Sequence, residues 1–277
     1  MSINDMPLSI VLQDATSKAT SQNLFLFPDG SGSAMAYSSL PQISPETRLI
    51  ALNSPFLRQP QDYPNSIEAM AKIWLPEIRR RQPRGPYSLG GWSAGGYYGV
   101  EAARLLLAQG EIVERLVLID SPCRLLYEAL PFPTVQALAD KNLMGSTHNP
   151  KRKAPAWMLD HFAVTIRAIE SYVPMPLRTE LRLPEVFVIW AAEGIDAAHD
   201  LDVDWSVKVN RLLLRTRKRF SPLGWDLMFP NVEVKTAALP GANHFNLIHG
   251  RHALDLVDLF RLVMGQQLSV DLQYARC

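Results

Sequence analysis

Tyr87-Ser88-Leu89-Gly90-Gly91-Trp92-Ser93-Ala94-Gly95-Gly96 carries the pattern G-x-S-x-G at residues 91–95. A β-type run, Tyr87 to Leu89, precedes it, and a helical stretch, Val100 to Gln109, follows it, with Gly110 as the helix stop. In a sharp strand-to-helix turn of this kind, glycines beside the serine let the two elements approach closely. The hydroxyl then projects from the tip of the turn. A lone match arises by chance in roughly one chain in ten of this length. The strand before and the helix after give the match its weight.

Working outward, the surrounding segments alternate between strand and helix patterns. Upstream, Asn23-Leu24-Phe25-Leu26-Phe27 is a continuous apolar run closed by Pro28-Asp29-Gly30-Ser31-Gly32, and Arg48 to Asn53 is a second. Such runs suit strands buried on both faces. Ile67, Met70, Ile73, Trp74 and Ile78 follow helical spacing, with Asn65 or Ser66 as cap. Downstream, Val113 to Asp120 and Val186 to Trp190 read as strands, Val232 to Lys235 as a shorter candidate, and Ala253 to Met264 as the last helix. This alternation predicts an α/β fold, a mostly parallel sheet with helices on both faces.

Residues 1–22 carry little pattern and are expected to be a linker or tail, leaving 23–277 as a single domain. About 60 residues, Ser121 to Pro184, separate two core strands where one short helix would suffice. Leu159, Phe162, Ile166 and Ile169 form an apolar helical stripe inside them, with Asp160, Arg167 and Glu170 elsewhere on the wheel. The expectation is an inserted helical lid over about 121–184.

A serine hydroxyl is a poor nucleophile at neutral pH and needs a base in reach, with a carboxylate to orient that base. Of six histidines, His244 sits in a turn-rich stretch, Leu239 to Phe245, between the last strand and the last helix. That is where an α/β-hydrolase delivers its base, in the order Ser, acid, His. His148, His161 and His199 fall in the lid or an irregular stretch, and His249 and His252 open the last helix; these five read as surface or capping residues.

The acid has three candidates. Asp120 directly ends the strand that follows the Ser93 helix, whereas Glu193 and Asp196 follow the next strand in a looser stretch. A carboxylate abutting a strand's carboxyl end faces the cleft where such sheets bind ligands, which favours Asp120. For an oxyanion, the backbone N–H of Ala94 is one expected donor. A second would come from the turn after the first strand, Gly30 or its neighbour Ser31, with Gly30 preferred.

Composition narrows the remaining classes. Hydrophobic residues are 47% and charged residues 20%, with Lys+Arg 28 against Asp+Glu 27, so no global charge favours nucleic acid or an anionic membrane. The basic clusters Arg79-Arg80-Arg81 with Arg84, and Arg215 to Arg219, read as solvated faces. Two cysteines, Cys123 and Cys277, form neither a disulfide framework nor a metal motif. No signal-peptide pattern or apolar run of about 20 residues is visible, so a cytoplasmic protein is expected. No phosphate loop, metal motif or dinucleotide fingerprint calls for a cofactor of its own.

Several motifs together resemble one family. Phe25 to Ser33, Arg79 to Tyr87, Gly90 to Gly96, Ile119-Asp120-Ser121-Pro122, Gly224-Trp225-Asp226 and Gly241 to Phe245 are similar to the thioesterase/Claisen-cyclase domains of fungal iterative non-reducing polyketide synthases. The resemblance runs from about Pro7 to Met264. It implies an α/β-hydrolase fold whose lid covers a substrate chamber, and a triad of Ser93, Asp120 and His244. It further implies a substrate that is an aromatic poly-β-keto chain on the phosphopantetheine of an acyl carrier protein, the expected partner. Beginning at Met1, the chain is expected to be an excised domain or a free-standing relative. Release by carbon–carbon closure, release by water (in trans or to shorten chains), and a non-catalytic binding module are the open functional readings.

Overall fold

The computed structural model describes residues 6–17, 21–144, 154–178, 182–195 and 201–266. Seven strands form one sheet: β1 (Ser9–Gln13), β2 (Gln22–Phe27), β3 (Thr47–Leu52), β4 (Tyr87–Trp92), β5 (Val113–Ile119), β6 (Glu185–Ala191) and β7 (Val234–Leu239). Their spatial order is β1-β3-β2-β4-β5-β6-β7, with β1 antiparallel to β3 and every other pair parallel.

The continuous apolar runs are buried on both faces, as the alternation along single strands shows. Phe25 and Phe27 of β2, and Leu116 and Leu118 of β5, enter one core with Trp74, Tyr98 and Trp190. Leu24, Leu26, Val117 and Ile119 enter a second core with Leu256 and Phe260 of the last helix. Helices α1 (Ile67–Arg81) and α2 (Ala94–Ala108) contribute to the first core, and α6 (Gly250–Val263) to the second. Trp74 fixes the first: its ring meets Phe27 at 5.3 Å and Tyr98 at 4.9 Å, and its indole N–H donates to the Asn53 carbonyl at 2.7 Å. The Ser66 hydroxyl caps α1 by accepting the Ala69 N–H at 3.2 Å.

The N-terminal stretch corrects an expectation. Residues 1–22 read as a linker, yet Ser9–Gln13 form edge strand β1, and Gln22 already belongs to β2. Gln13 shows why a polar sequence can do this. Its amide donates to the carbonyls of Leu40 and Pro41 and accepts the Ile43 N–H, while main-chain pairing with β3 supplies the rest.

Between β5 and β6 lie α3 (Phe132–Asp140) and α4 (Ala156–Ser171). On α4, Ile166 and Ile169 are buried, Leu159 and Phe162 pack against the core, and Asp160, Arg167 and Glu170 face outward. The segment is pinned at its base, where the Trp225 indole donates to the Ser121 carbonyl at 2.6 Å. A short helix absent from the sequence reading, α5 (Lys208–Leu214), follows β6. Its Leu212-Leu213-Leu214 run is too short to show a helical period. Among the described residues, no helix is long and apolar enough to cross a membrane.

Candidate active site

The neighbouring strands β2 and β4 lie where the chain reverses its direction of travel across the sheet. The loops leaving their carboxyl ends therefore diverge and open a crevice. Ser93 stands at the end of β4 with φ 56° and ψ −121°, a conformation that L-residues rarely adopt. Its N–H donates to the Ile119 carbonyl at 2.9 Å, and α2 begins at the next residue. The glycines explain how so tight a turn is possible. A Cβ on Gly91 would lie 2.5 Å from the backbone of Gly95, and one on Gly95 would lie 2.5 Å from the Phe27 carbonyl oxygen. Residues on both sides of Ser93 are buried, while Ser93 itself remains partly accessible.

Asp120 follows β5 directly, 6% exposed and with φ 44°. Its carboxylate divides its contacts. Oδ2 lies 2.7 Å from His244 Nδ1, and Oδ1 accepts the Ala191 N–H at 3.0 Å and Arg217 Nη2 at 2.6 Å. Burial alone would raise this carboxyl. The Arg217 charge, followed by the hydrogen bond from His244, outweighs burial and holds it at about 2. His244 is 8% exposed and packs against the ring of Trp92 at 5.1 Å and of Phe245 at 5.1 Å. The imidazole is thus held from one side by a carboxylate and on its flanks by rings. Such an imidazole presents its other nitrogen as a proton acceptor.

Ser93, Asp120 and His244 line one cleft together with Ala94, Tyr97, Leu130, Ile169, Val209 and Leu213. Its cavity volume is about 60 Å³.

Among the other expected residues, Glu193 is turned elsewhere, its carboxylate accepting the Thr216 hydroxyl at 2.9 Å. Asp196, His148 and His199 lie outside the described residues. Ala94 is the first residue of α2, so its N–H has no acceptor within the helix. In the turn after β2, the Ser31 N–H is directed at Asp29 Oδ1 at 3.3 Å, and the Ser31 hydroxyl donates to the same oxygen at 2.5 Å. Asp29 itself is buried, which pushes its carboxyl up to about 6 against those hydrogen bonds.

Three residues depart from the sequence reading. His161, expected at the surface or in a cap, is 1% exposed on α4, with Nδ1 lying 3.0 Å from the Gly30 carbonyl oxygen. His252 is likewise buried. Arg217, read as part of a solvated basic face, lies against Asp120, with its guanidinium 5.2 Å from the Trp190 ring. No local pattern distinguishes it from Arg215 or Arg219, because its environment comes from β5 and β6.

A sequence model of the thioesterase domain matches residues 22–172. The chain belongs to the thioesterase domain family. It is 39% identical over 264 residues to the bikaverin polyketide synthase bik1 of Gibberella fujikuroi, covering 93% of this chain and 13% of that protein. It is 38% identical over 261 residues to the non-reducing polyketide synthase terA of Aspergillus terreus, covering 93% and 12%. This thioesterase domain therefore spans about an eighth of the length of those synthases. Among solved structures, the thioesterase domain NocB in covalent complex with a fluorophosphonate nocardicin G analogue is similar. It has 25% identity and a TM-score of 0.64, over 91% of this chain and 98% of that one. The surfactin thioesterase domain SrfTE shares the fold at 19% identity, with a TM-score of 0.54 over 90% and 94%.

Proposed function

We propose that this thioesterase domain releases an aromatic polyketide from the phosphopantetheine of an acyl carrier protein through an ester on Ser93, and that release occurs by Claisen carbon–carbon closure. The observation that carries the catalytic part is the contact of His244 Nδ1 with Asp120 Oδ2 at 2.7 Å, in the cleft that Ser93 also lines. The likeness to fungal non-reducing polyketide synthases supports the substrate class and the partner.

In the first half-reaction His244 takes the proton of the Ser93 hydroxyl as its oxygen attacks the thioester carbonyl. The developing oxyanion rests on the N–H groups of Ala94 and Gly30. Gly30 suits this better than Ser31, whose N–H is already directed at Asp29. The C–S bond then breaks, and the thiolate leaves with the proton held on His244.

In the second half-reaction His244 removes a proton from a carbon flanked by two carbonyls. The resulting enolate attacks the ester carbon of the same chain, a C–C bond forms, and the Ser93 oxygen leaves and recovers its proton from His244. Holding both ends of one chain together can supply up to ~7–11 kcal/mol of the barrier reduction. Water in place of the carbon nucleophile would give the free acid, so a dry chamber decides the product. The apolar lining from Leu130, Ile169, Val209 and Leu213 supports closure over hydrolysis.

The test is to offer a poly-β-keto thioester, on a carrier protein or on N-acetylcysteamine, and weigh the product. A product lighter than the free acid by one water, whose former ester carbon is bonded to carbon by NMR, supports Claisen closure, whereas the isobaric lactone would mean attack by an enol oxygen instead. Free acid alone assigns the domain to the water-using thioesterases, and no thiol release at all removes the catalytic reading.

A further inference from the structure

The guanidinium of Arg217 touches the proposed triad without taking part in any of those steps. We propose that Arg217 is a positioning residue for this site: it fixes the Asp120 carboxylate so that Oδ2 faces His244, and its charge limits how strongly Asp120 favours a protonated His244. The proposal rests on the Ser93–His244–Asp120 reading.

The geometry is that of a clamp. Arg217 Nη2 bridges Asp120 Oδ1, at 2.6 Å, and the Ala191 carbonyl oxygen, while the Ala191 N–H donates to the same Oδ1 at 3.0 Å. With Oδ1 held twice, rotation of the carboxylate is blocked and Oδ2 is left to the imidazole. Arg217 is fixed in turn. Its backbone N–H donates to the Ala192 carbonyl at 2.9 Å, and its guanidinium sits 5.2 Å from the Trp190 ring and 5.8 Å from the Phe220 ring. Its Nε and Nη1 are buried with no acceptor among the described residues. A buried ion pair with unsatisfied donors is a poor source of stability compared with an apolar side chain of similar size. Its worth lies in what it does to Asp120.

Electrostatically, a lone carboxylate beside an imidazole favours the imidazolium. A carboxylate already paired with a guanidinium does so less. The other ionisable groups facing this assembly are Asp29 on the turn after β2, which interacts with His244; Glu128 on the cleft wall; and the Tyr127 hydroxyl, which interacts with Arg217. Of these only Tyr127 would feel a substitution at 217, and loss of the cation raises its already raised phenol further, away from the acid limb, so a shift of that limb reports the Arg217–Asp120 pair.

The experiment measures kcat and KM for acetoacetyl-N-acetylcysteamine hydrolysis from pH 5 to 9 in the wild type, Arg217→Gln, Arg217→Lys and Ser93→Ala. Far-UV circular dichroism verifies folding. For Arg217→Gln, kcat should fall roughly 10- to 100-fold below pH 7, with KM within about threefold. The acid limb of kcat should move up by about one pH unit. Arg217→Lys restores the charge, but its shorter stem leaves the ammonium about one bond short of the Nη2 position and removes the planar group that lies against Trp190 and Phe220, so its acid limb should coincide with wild type while kcat stays about tenfold low. Unshifted limbs in a folded Arg217→Gln, or an Arg217→Lys enzyme with wild-type kcat, would overturn the proposal. If Arg217→Gln does not fold, the Arg217→Lys profile alone decides, since a shifted limb there contradicts the charge effect. Activity retained in Ser93→Ala would instead overturn the triad reading and leave the Arg217 result without a site to act on.

Discussion

The Nδ1 of His161, on helix α4, lies 3.0 Å from the carbonyl oxygen of Gly30, on the turn after β2. A carbonyl only accepts, so His161 Nδ1 carries the hydrogen and donates it. The adjacent Phe162 ring covers the same glycine so closely that a Cβ on Gly30 would lie 2.4 Å from it. Helix α4 is thereby fastened to the turn that carries the proposed oxyanion donor Gly30.

We propose that α4 is the lid of the chamber, and its contact with Gly30 then predicts how it sets the product. Phe162→Ala with Ile166→Ala should loosen α4, at a cost of ~2–5 kcal/mol for each large-to-small change that is fully buried and less for half-buried Phe162. From a cyclisable thioester, the ratio of ring-closed product to free acid should fall severalfold, while thioester consumption falls far less. Chromatography of the products with mass detection reads this. An unchanged ratio would detach the lid from water exclusion.

The acid assignment predicts a sharp contrast between neighbouring loops. Asp120→Asn should lower kcat by roughly 10⁴-fold, because the amide presents the wrong partner to His244 Nδ1. Glu193→Gln should cost less than tenfold, since its carboxylate is engaged with Thr216. Steady-state rates on one thioester decide it, and a crippled Glu193→Gln beside a mild Asp120→Asn would reverse the assignment.

Asp29 predicts a pH signature in stability. Its carboxyl is pushed by burial from an ordinary 3.8 to about 6 in the fold. A group whose folded value is raised contributes stability that is fully present below about pH 4 and lost as pH rises through 6. Asp29→Asn mimics the protonated form. Its stability relative to wild type should therefore improve between pH 4 and pH 7, by at most ~3 kcal/mol. Asp120, held at about 2, loses its contribution only below pH 4 and leaves this window untouched. Urea midpoints across the range test this, and a gap constant with pH would contradict it.

What could be read from the sequence depended on the range of the determining interaction. Ser93 was visible because its turn is built locally, from Gly91 and Gly95 between a strand and a helix. The central strands were visible because burial on both faces demands unbroken apolar runs such as Asn23 to Phe27. The stretch Ser9–Gln13 was not, because an edge strand is held by its partner's backbone and needs no such run. Arg217 and His161 were hidden for a related reason. Each is an ordinary polar residue in its own segment, and only the approach of Asp120 or Gly30 from elsewhere in the chain brings it against the proposed site.

The most direct test of the account is the identity of the atom that carries the acyl group. The domain is mixed with a fluorophosphonate, or briefly with a thioester and quenched in acid, then digested and read by peptide mass spectrometry. The account predicts one adduct, on the peptide containing Ser93, absent from Ser93→Ala, with thioester turnover in that folded variant reduced at least about a thousandfold. An adduct on another residue, or near-wild-type turnover in folded Ser93→Ala, would contradict it.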